Sequence, residues 1–353
     1  SIYYIIWAFI AIGSIADVSF EKWQDKRALN LFLCIVASLF CGLRFECDND
    51  FTAYVGHWLN LPYFSDGDFS YVFGKFSSIK LEFGYKLVAV ILKNIGFAPQ
   101  AMFVFCSVVT FYLFYKVTPY FTRYPNLALF LFFSQFIVLP FMQIRFGVCA
   151  MLIWYSFYKW DKHQKWKAVL FFIFAISFHN LAFVVLLLLP LLKLKMKYLI
   201  GVLVVVLFMP LHLVSDFALA AVILMGWNYG DYFEDSATLS FVSYFLNFVL
   251  VLPLIIIAFY KKNYFNGIEK NLIKYYILFL IGFTLSMNLS IIARIAIVFS
   301  ISICFLLPEY LRMVKEKSVY KALILVGIIL YGLMKYMPWL QYYKPYNFNL
   351  ELI

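Results

Sequence analysis

The sequence predicts an all-α, polytopic integral membrane protein, and three observations predict it. Of its 353 residues 65% are hydrophobic and 13% charged, with a mean hydropathy of +0.88, whereas a soluble domain carries roughly 45–50% apolar and 25% charged residues. Apolar runs approaching the roughly 20 residues of a spanning helix recur along nearly the whole chain. The 29 Lys and Arg against 18 Asp and Glu leave +11, and most of these charges punctuate the runs, as loop bias across a bilayer requires. The surplus therefore speaks for orientation in a membrane and not for a nucleic acid partner. The length leaves no room for a separate soluble catalytic domain, so 1–353 reads as a single transmembrane domain.

The runs follow in order. Residues 1–16 lack a basic n-region and a small-residue cleavage site, so they read as a first span and not a cleaved signal. Residues 29–43 follow a basic turn. The long connection 44–99 reads as a loop, except that 82–97, carrying Lys86, Lys93 and Asn94, is too short and polar to cross and reads as an interfacial or re-entrant helix. Runs at 100–116, 126–141 and 145–158 are tightly connected. The run 168–192 holds His179 and Asn180 at its middle and reads as a hairpin of two short arms with its tip at His179. A run at 198–215 precedes a second long loop, 216–239, acidic and aromatic with Trp227, Tyr229 and Tyr232. Runs at 240–260, 272–289, 291–307 and 320–337 complete the chain. No internal repeat appears.

Orientation decides the count. With the N-terminus outside, 82–97 not crossing and 168–192 a hairpin, the inside loops hold 20 of the basic residues against 7 acids, or +13, leaving −2 outside. A single crossing at 168–192 would move Lys261 and Lys262 outside and the acidic 216–239 loop inside, against the positive-inside rule. The expectation is about 12 passes, with both termini and both long loops outside.

Most basic residues then anchor inner ends, but Arg44, Arg145 and Arg294 fall at outer ends. Arg294 lies among Ile291, Ile292, Ile295, Ala296, Ile297 and Val298, where an unpaired guanidinium costs a few kcal/mol. Guanidinium groups stay charged and bind phosphate oxygens bidentately, so the three suit a phosphate-rich ligand. The alternative is pairing with Asp48, Asp50, Asp66, Asp68, Asp231, Glu234 or Asp235. His179, at the tip facing the arginines, is a candidate general base or orienter, with Asp50 and Glu82 as rival bases. His57, His163 and His212 lack such a context. Tyr54, Tyr85, Gln143 and Asn180, close to these positions in the sequence, are candidates for contacting a ligand or supporting the loops. Cys34, Cys106, Cys149 and Cys304 lie in apolar runs as small buried hydrophobes; Cys41 and Cys47 alone could meet in a loop, and their spacing does not predict a disulfide. No CxxC or histidine cluster suggests a metal, and no cofactor is expected.

The chain resembles the EpsG branch of Wzy-type polysaccharide polymerases. Gly42-Leu43-Arg44, followed by Asp50 and Tyr54, is similar to the family's first patch. Glu82-Phe83-Gly84-Tyr85 is similar to its E-P-G-Y patch, Ile144-Arg145 with Gly147 and Ala150 to a third, and Phe178-His179 with Ala182 to a fourth. Arg294, with Asn288 and Phe299, resembles a late arginine helix. Asp48 stands where the family has glycine, Phe83 where it has proline and Leu181 where it has serine. The resemblance implies a GT-C-like membrane glycosyltransferase of the bacterial inner membrane, its site facing the periplasm. It implies a metal-independent reaction joining undecaprenyl-diphosphate-linked oligosaccharides as donor and acceptor. Arg145 and Arg294 would clamp the diphosphate, Arg44 would assist, His179 or Asp50 would take the acceptor proton, and Glu82 would orient a sugar or an arginine. A chain-length regulator and a flippase of the same pathway are the further partners implied. Three rival classes remain: a flippase or transporter, whose charges should line a path through the bilayer; a membrane-bound acyltransferase, which leaves Arg145 and Arg294 unexplained; and a ligase, which differs only in acceptor.

Overall fold

A computed structural model describes residues 1–19, 22–208, 241–261, 264–286, 290–314 and 319–350. They form α1 (Ile2–Ser19), α2 (Trp23–Gly42), α3 (Phe51–Asn60), α4 (Phe69–Ser78), α5 (Phe83–Asn94), α6 (Gln100–Phe121), α7 (Pro125–Phe136), α8 (Val138–Phe141), α9 (Ile144–Asp161), α10 (Lys165–Phe178) and α11 (Leu181–Leu188), continued by a 3-10 turn at Leu189–Lys193. Then come α12 (Met196–Phe208), α13 (Phe241–Tyr260), α14 (Gly267–Leu285), α15 (Ser290–Ser300), α16 (Ile303–Leu306), a 3-10 turn at Leu307–Arg312, and α17 (Val319–Leu340). No strand occurs among the described residues, whose one isolated bridge joins Arg44 to Phe348. Ile2–Ser19, Gln100–Phe121, Ile292–Arg312 and Val319–Leu340 are long and apolar enough to cross a membrane, and Pro125–Phe136, Leu181–Lys193, Met196–Phe208 and Phe245–Tyr260 are shorter apolar helices. The described residues are all-helical, with four candidate membrane spans and further apolar helices, in agreement with a polytopic membrane protein.

One expectation about connections changes in part. Residues 44–99 hold the helix expected within 82–97, as α5, but 44–81 are not a plain loop: they build α3 and α4, whose ends are capped by polar residues of the segment. Asp68 caps α4 by accepting from Tyr71 N at 2.9 Å. The run 168–192 does break at its middle, where His179, with φ −159° and ψ 124°, ends α10 and leaves the helical path. The loop 216–239, with Trp227, Tyr229 and Tyr232, lies outside the described residues.

The contacts gather into two compact units, Ser1–Ala182 with Pro308–Ile353, and Phe183–Leu307. In the first, α9 packs on α10 and α6, α2 on α6, and α1 and α17 on α7, around buried Phe103, Phe114, Phe130, Phe132, Phe133 and Trp154. Phe114 and Phe132 rings are 4.5 Å apart. Contacts at each end show which helix ends lie together. At one end, Arg27 Nη1 donates to Tyr115 O at 2.9 Å, Lys162 lies over the Tyr120 ring, and Ser156 Oγ donates to Ala168 O at 2.7 Å. There buried Asp17 accepts from the Asn126 and Leu127 N–H groups at 2.7 and 2.9 Å, capping α7. At the other end the C-terminus of α2 meets the N-terminus of α6, where Gln100 Nε2 donates to Gly42 O at 2.6 Å. The lysine-rich turns between α1 and α2 and between α9 and α10 therefore share the end away from Arg44 and Arg145.

In the second unit α14 packs against α12, α13 and α15. A reciprocal cap fixes its start: Glu269 N donates to Asn266 Oδ1 and Asn266 N to Glu269 Oε2, both at 2.9 Å. Lys274 Nζ donates to Leu192 O at 2.9 Å.

Candidate active site

The segment between α2 and α6 is organised by two lysines of α5. Lys86 Nζ donates to Phe76 O and Ile79 O, at 3.0 and 2.9 Å, and so covers the C-terminus of α4. Lys93 Nζ donates to Trp58 O, Leu59 O and Leu61 O, at 3.0, 3.1 and 2.6 Å, and does the same for α3. Terminal carbonyls have no partner within their own helix and carry the negative end of its dipole, so an ammonium is a fitting cap. Asn94 adds two ties, accepting from Phe64 N at 2.6 Å and donating to Pro62 O at 3.3 Å. Desolvation lowers the pKa of both lysines. Both short helices are thereby fastened to α5.

The start of α5 is in turn fastened to the end of α10. A Cβ on Gly84 would lie 2.3 Å from Ser177 Oγ and 2.9 Å from Ser177 O, so only glycine permits this approach. Phe83, which replaces the family's proline, is the first residue of the helix, where proline is favoured but not required. Glu82 precedes it and faces Arg145, the second residue of α9, whose Nη1 donates to Glu82 Oε2. Gly147 lets α9 close on α8, since a Cβ there would lie 2.7 Å from Leu139 O.

His179 enters from the broken end of α10. Its Nδ1 is 4.0 Å from Glu82 Oε1 and accepts from Leu181 N at 3.3 Å; the Phe146 ring lies 5.3 Å from the imidazole. An Nδ1 that accepts an N–H leaves the neutral ring's proton on Nε2. The Arg145 guanidinium lies 5.7 Å from the Tyr54 ring and 5.8 Å from the Tyr85 ring, which are themselves 5.9 Å apart. Burial pushes both phenols upward in pKa, and the Arg145 charge opposes that shift. The side chains of Arg145, His179 and Glu82 keep 24%, 15% and 11% of their surface exposed, so the cluster is open to a ligand.

Arg44 takes a different place. It is wholly buried, its Nε bonded to Asp48 Oδ2 at 2.6 Å and its Nη1 to Cys41 O at 2.8 Å. Phe103 and Phe141 rings flank it at 4.8 and 4.9 Å. For this arginine the pairing alternative describes the structure, and it presents no guanidinium face to a ligand. The residues after α17 close over it: Phe45 N donates to Asn347 O and Asn349 N to Leu43 O, both at 2.9 Å. Cys41 and Cys47 are free and buried, with Cys47 Sγ bonded to this tail. Asp48 also explains the family's missing glycine, because its Oδ1 accepts from Asp50 N at 2.9 Å and holds the entry to α3.

Asp50 is half-buried at the start of α3, one turn before Tyr54. Gln143 precedes α9, with its Oε1 buried and without a partner. Asn180 is exposed in the turn after His179. Arg294 lies on α15, in the second unit. His57, which its sequence surroundings did not single out, lies one turn beyond Tyr54, and its pKa is lowered by desolvation and by the charge of Arg145. The three-residue spacing from Tyr54 was the available signal. Among the described residues no group of three or more His, Cys, Asp or Glu gathers as a metal site.

The model of a family described as the EpsG family matches residues 27–348, nearly the whole chain. No curated protein and no solved structure matches.

Proposed function

The chain belongs to the EpsG family, a family of Wzy-type polysaccharide polymerases, and from that premise we propose that it joins undecaprenyl-diphosphate-linked oligosaccharide repeat units. The growing glycan leaves its diphosphate and passes to a sugar hydroxyl of the incoming unit, on the outer face of the bacterial plasma membrane. The observation that carries this reading is the meeting of Arg145, Glu82 and His179, from three separate segments, in one partly exposed cluster. It lies at the helix ends away from the lysine-rich turns, which supports an outward-facing site under the positive-inside rule.

In this reading the bond between the anomeric carbon and the diphosphate oxygen breaks as a bond to the acceptor oxygen forms. Negative charge grows on the departing diphosphate, and Arg145, oriented by Glu82, stabilises it in place of a metal. His179 assists as a donor through Nε2–H, since its Nδ1 is occupied. Asp50 takes the acceptor proton, and Tyr54 and Tyr85 present ring faces to the sugar. Arg44 serves as a positioning residue that fixes the entry to α3. Arg294 keeps the diphosphate role that the late-arginine resemblance implies, and about 12 passes remain the proposed topology.

The test is incubation of the purified chain with lipid-linked repeat unit. A ladder of lengthening glycans is expected. Unchanged substrate, or transfer of a single finished glycan to a different lipid, would refute the polymerase reading.

A further inference from the structure

α4 contributes no buried residue to the core. Helical spacing puts Phe69, Val72, Phe73 and Phe76 on one of its faces and Gly74, Lys75 and Ser78 away from that face. Phe69 is 83% and Phe73 56% exposed, with their rings stacked at 5.8 Å. α5 repeats the pattern. Its inner side holds buried Tyr85, Lys86, Ala89 and Lys93, while Phe83, Leu87 and Ile91, at four-residue steps, are 60%, 42% and 46% exposed. The two faces join, because the Phe76 ring meets the Phe83 ring edge-on at 5.9 Å. The Lys86 cap on Phe76 O and Ile79 O holds the helices in that relation.

We propose that this joint surface of α4 and α5 is immersed in the bilayer, in the interface of the leaflet nearest the Arg145 cluster. At 10 and 12 residues the two helices fall short of the roughly 20 needed to cross. A helix with one apolar face lies in the plane of the interface, that face about 5–10 Å into the boundary of headgroups and acyl chains. Continuity favours lipid over a protein partner. α5 packs on α6 and α10; α6 is long and apolar enough to cross a membrane, and α10 exposes Ile173 and Phe174 one turn before Ser177, against which Gly84 of α5 closes. The neighbouring charges are turned elsewhere: Lys75 Nζ donates to Asp66 Oδ2 at 3.1 Å, and Lys86 and Lys93 hold carbonyls. The sequence alone places only 82–97 at an interface, and α4 extends that surface. Glu82 immediately precedes Phe83, so the depth of the surface sets the depth of the Arg145 cluster. In the polymerase reading, which this deepens, that is the level at which the diphosphate of a lipid-linked substrate lies.

All six native cysteines are buried, so a single introduced cysteine can carry a nitroxide on the full chain in phosphatidylglycerol-containing nanodiscs. Phe73→Cys and Leu87→Cys put the label on the apolar surface. Gly74→Cys, where a Cβ meets nothing within 4 Å, and Ser78→Cys put it on the other side of α4. Power saturation reads collisions with oxygen, which concentrates in lipid, and with a neutral nickel chelate, which stays in water. Oxygen is expected to dominate at positions 73 and 87, at a depth of about 5–10 Å, and the chelate at positions 74 and 78. Chelate dominance at 73 and 87 would put the surface in water and overturn the proposal. Shielding of 73 and 87 from both reagents would overturn it too, since another part of the chain would then cover the surface. So would spin–spin broadening at 73 that fades on dilution with unlabelled chain, the mark of a second copy. No glycan enters the measurement, so its failure leaves the polymerase reading standing, and a chain that makes no polymer leaves the immersed surface standing.

Discussion

Arg145→Lys is the substitution on which the proposed chemistry turns. The Arg145 guanidinium gives Nη1 to Glu82 and sits beside the Tyr54 and Tyr85 rings, with 24% of its side-chain surface exposed. A guanidinium can hold Glu82 on one edge and offer a second N–H pair to a diphosphate. An ammonium is a point donor and cannot span both. The variant should keep its charge and its contact with Glu82 but lose at least one charge-assisted bond in the transition state, about 1.5–3 kcal/mol. That is a fall in kcat/KM of about 10- to 150-fold, borne mainly by kcat if the bond forms as the diphosphate departs. The readout is the initial rate of glycan extension by purified chain on lipid-linked repeat unit, with Glu82→Gln and the double variant completing a cycle. The double variant should be less impaired than the product of the two single losses, because Glu82 acts through Arg145. A rate within twofold of the parent, or additive losses, would refute the reasoning.

Four further outcomes are expected. Asp48→Ala leaves the Arg44 charge buried and unpaired, which should destabilise the first unit by about 3–5 kcal/mol and lower the thermal melting midpoint; an unchanged midpoint would contradict the buried pair. Lys93→Met uncovers three carbonyls at the end of α3 and should cost about 2–3 kcal/mol, seen as faster proteolysis within 58–64. Asp50→Asn should abolish the acid limb of the kcat/KM profile and His179→Ala should lower the rate about 10²-fold or more while keeping that limb; the opposite assignment would make His179 the base. Cysteine at Ser65 should react with an impermeant thiol reagent from outside the cell and cysteine at Gln164 should not. Both positions are exposed and all six native cysteines are buried, so the reverse pattern would invert the topology.

What could be read from the sequence was what is encoded locally. Phe178-His179-Asn180 marks a helix break because His179 leaves the helical path within that tripeptide. Glu82, Arg145 and His179 were each singled out, His179 as facing the arginines and Glu82 as orienting a sugar or an arginine, but the contact that seats them was not legible: Gly84 and Ser177, packed too closely for a Cβ, join the segments that carry Glu82 and His179. Within 44–99 the helix carrying Lys86 and Lys93 was expected, but α3 and α4 were missed, because the lysines that hold their ends lie 7 to 35 residues away in the sequence. The tail over Arg44 was missed for a related reason: residues 343–349 hold to residues 43–47 mainly by backbone hydrogen bonds, which leave no apolar period to read.

Arg44 and Arg145 show why a count of arginines at one membrane face is not a count of ligand contacts. Both follow an apolar run and both fall on the disfavoured side of the charge pattern. Arg44 has a carboxylate four residues on, at Asp48, and the turn between them brings that carboxylate to 2.6 Å. Arg145 has no acid within fifteen residues on either side, so its partner must come from elsewhere in the fold. A locally paired arginine can be sealed into the interior, as Arg44 is by Phe103, Phe141 and the C-terminal tail, because its charge is already compensated. An arginine whose partner arrives with a separate helix sits where several elements converge, and such convergence leaves an opening. The sequence distance from such an arginine to its nearest acid therefore separates the sealed arginine from the partly exposed one better than its depth in the apolar run does. By that measure Arg294, with no acid between Glu269 and Glu309, belongs with Arg145 and not with Arg44.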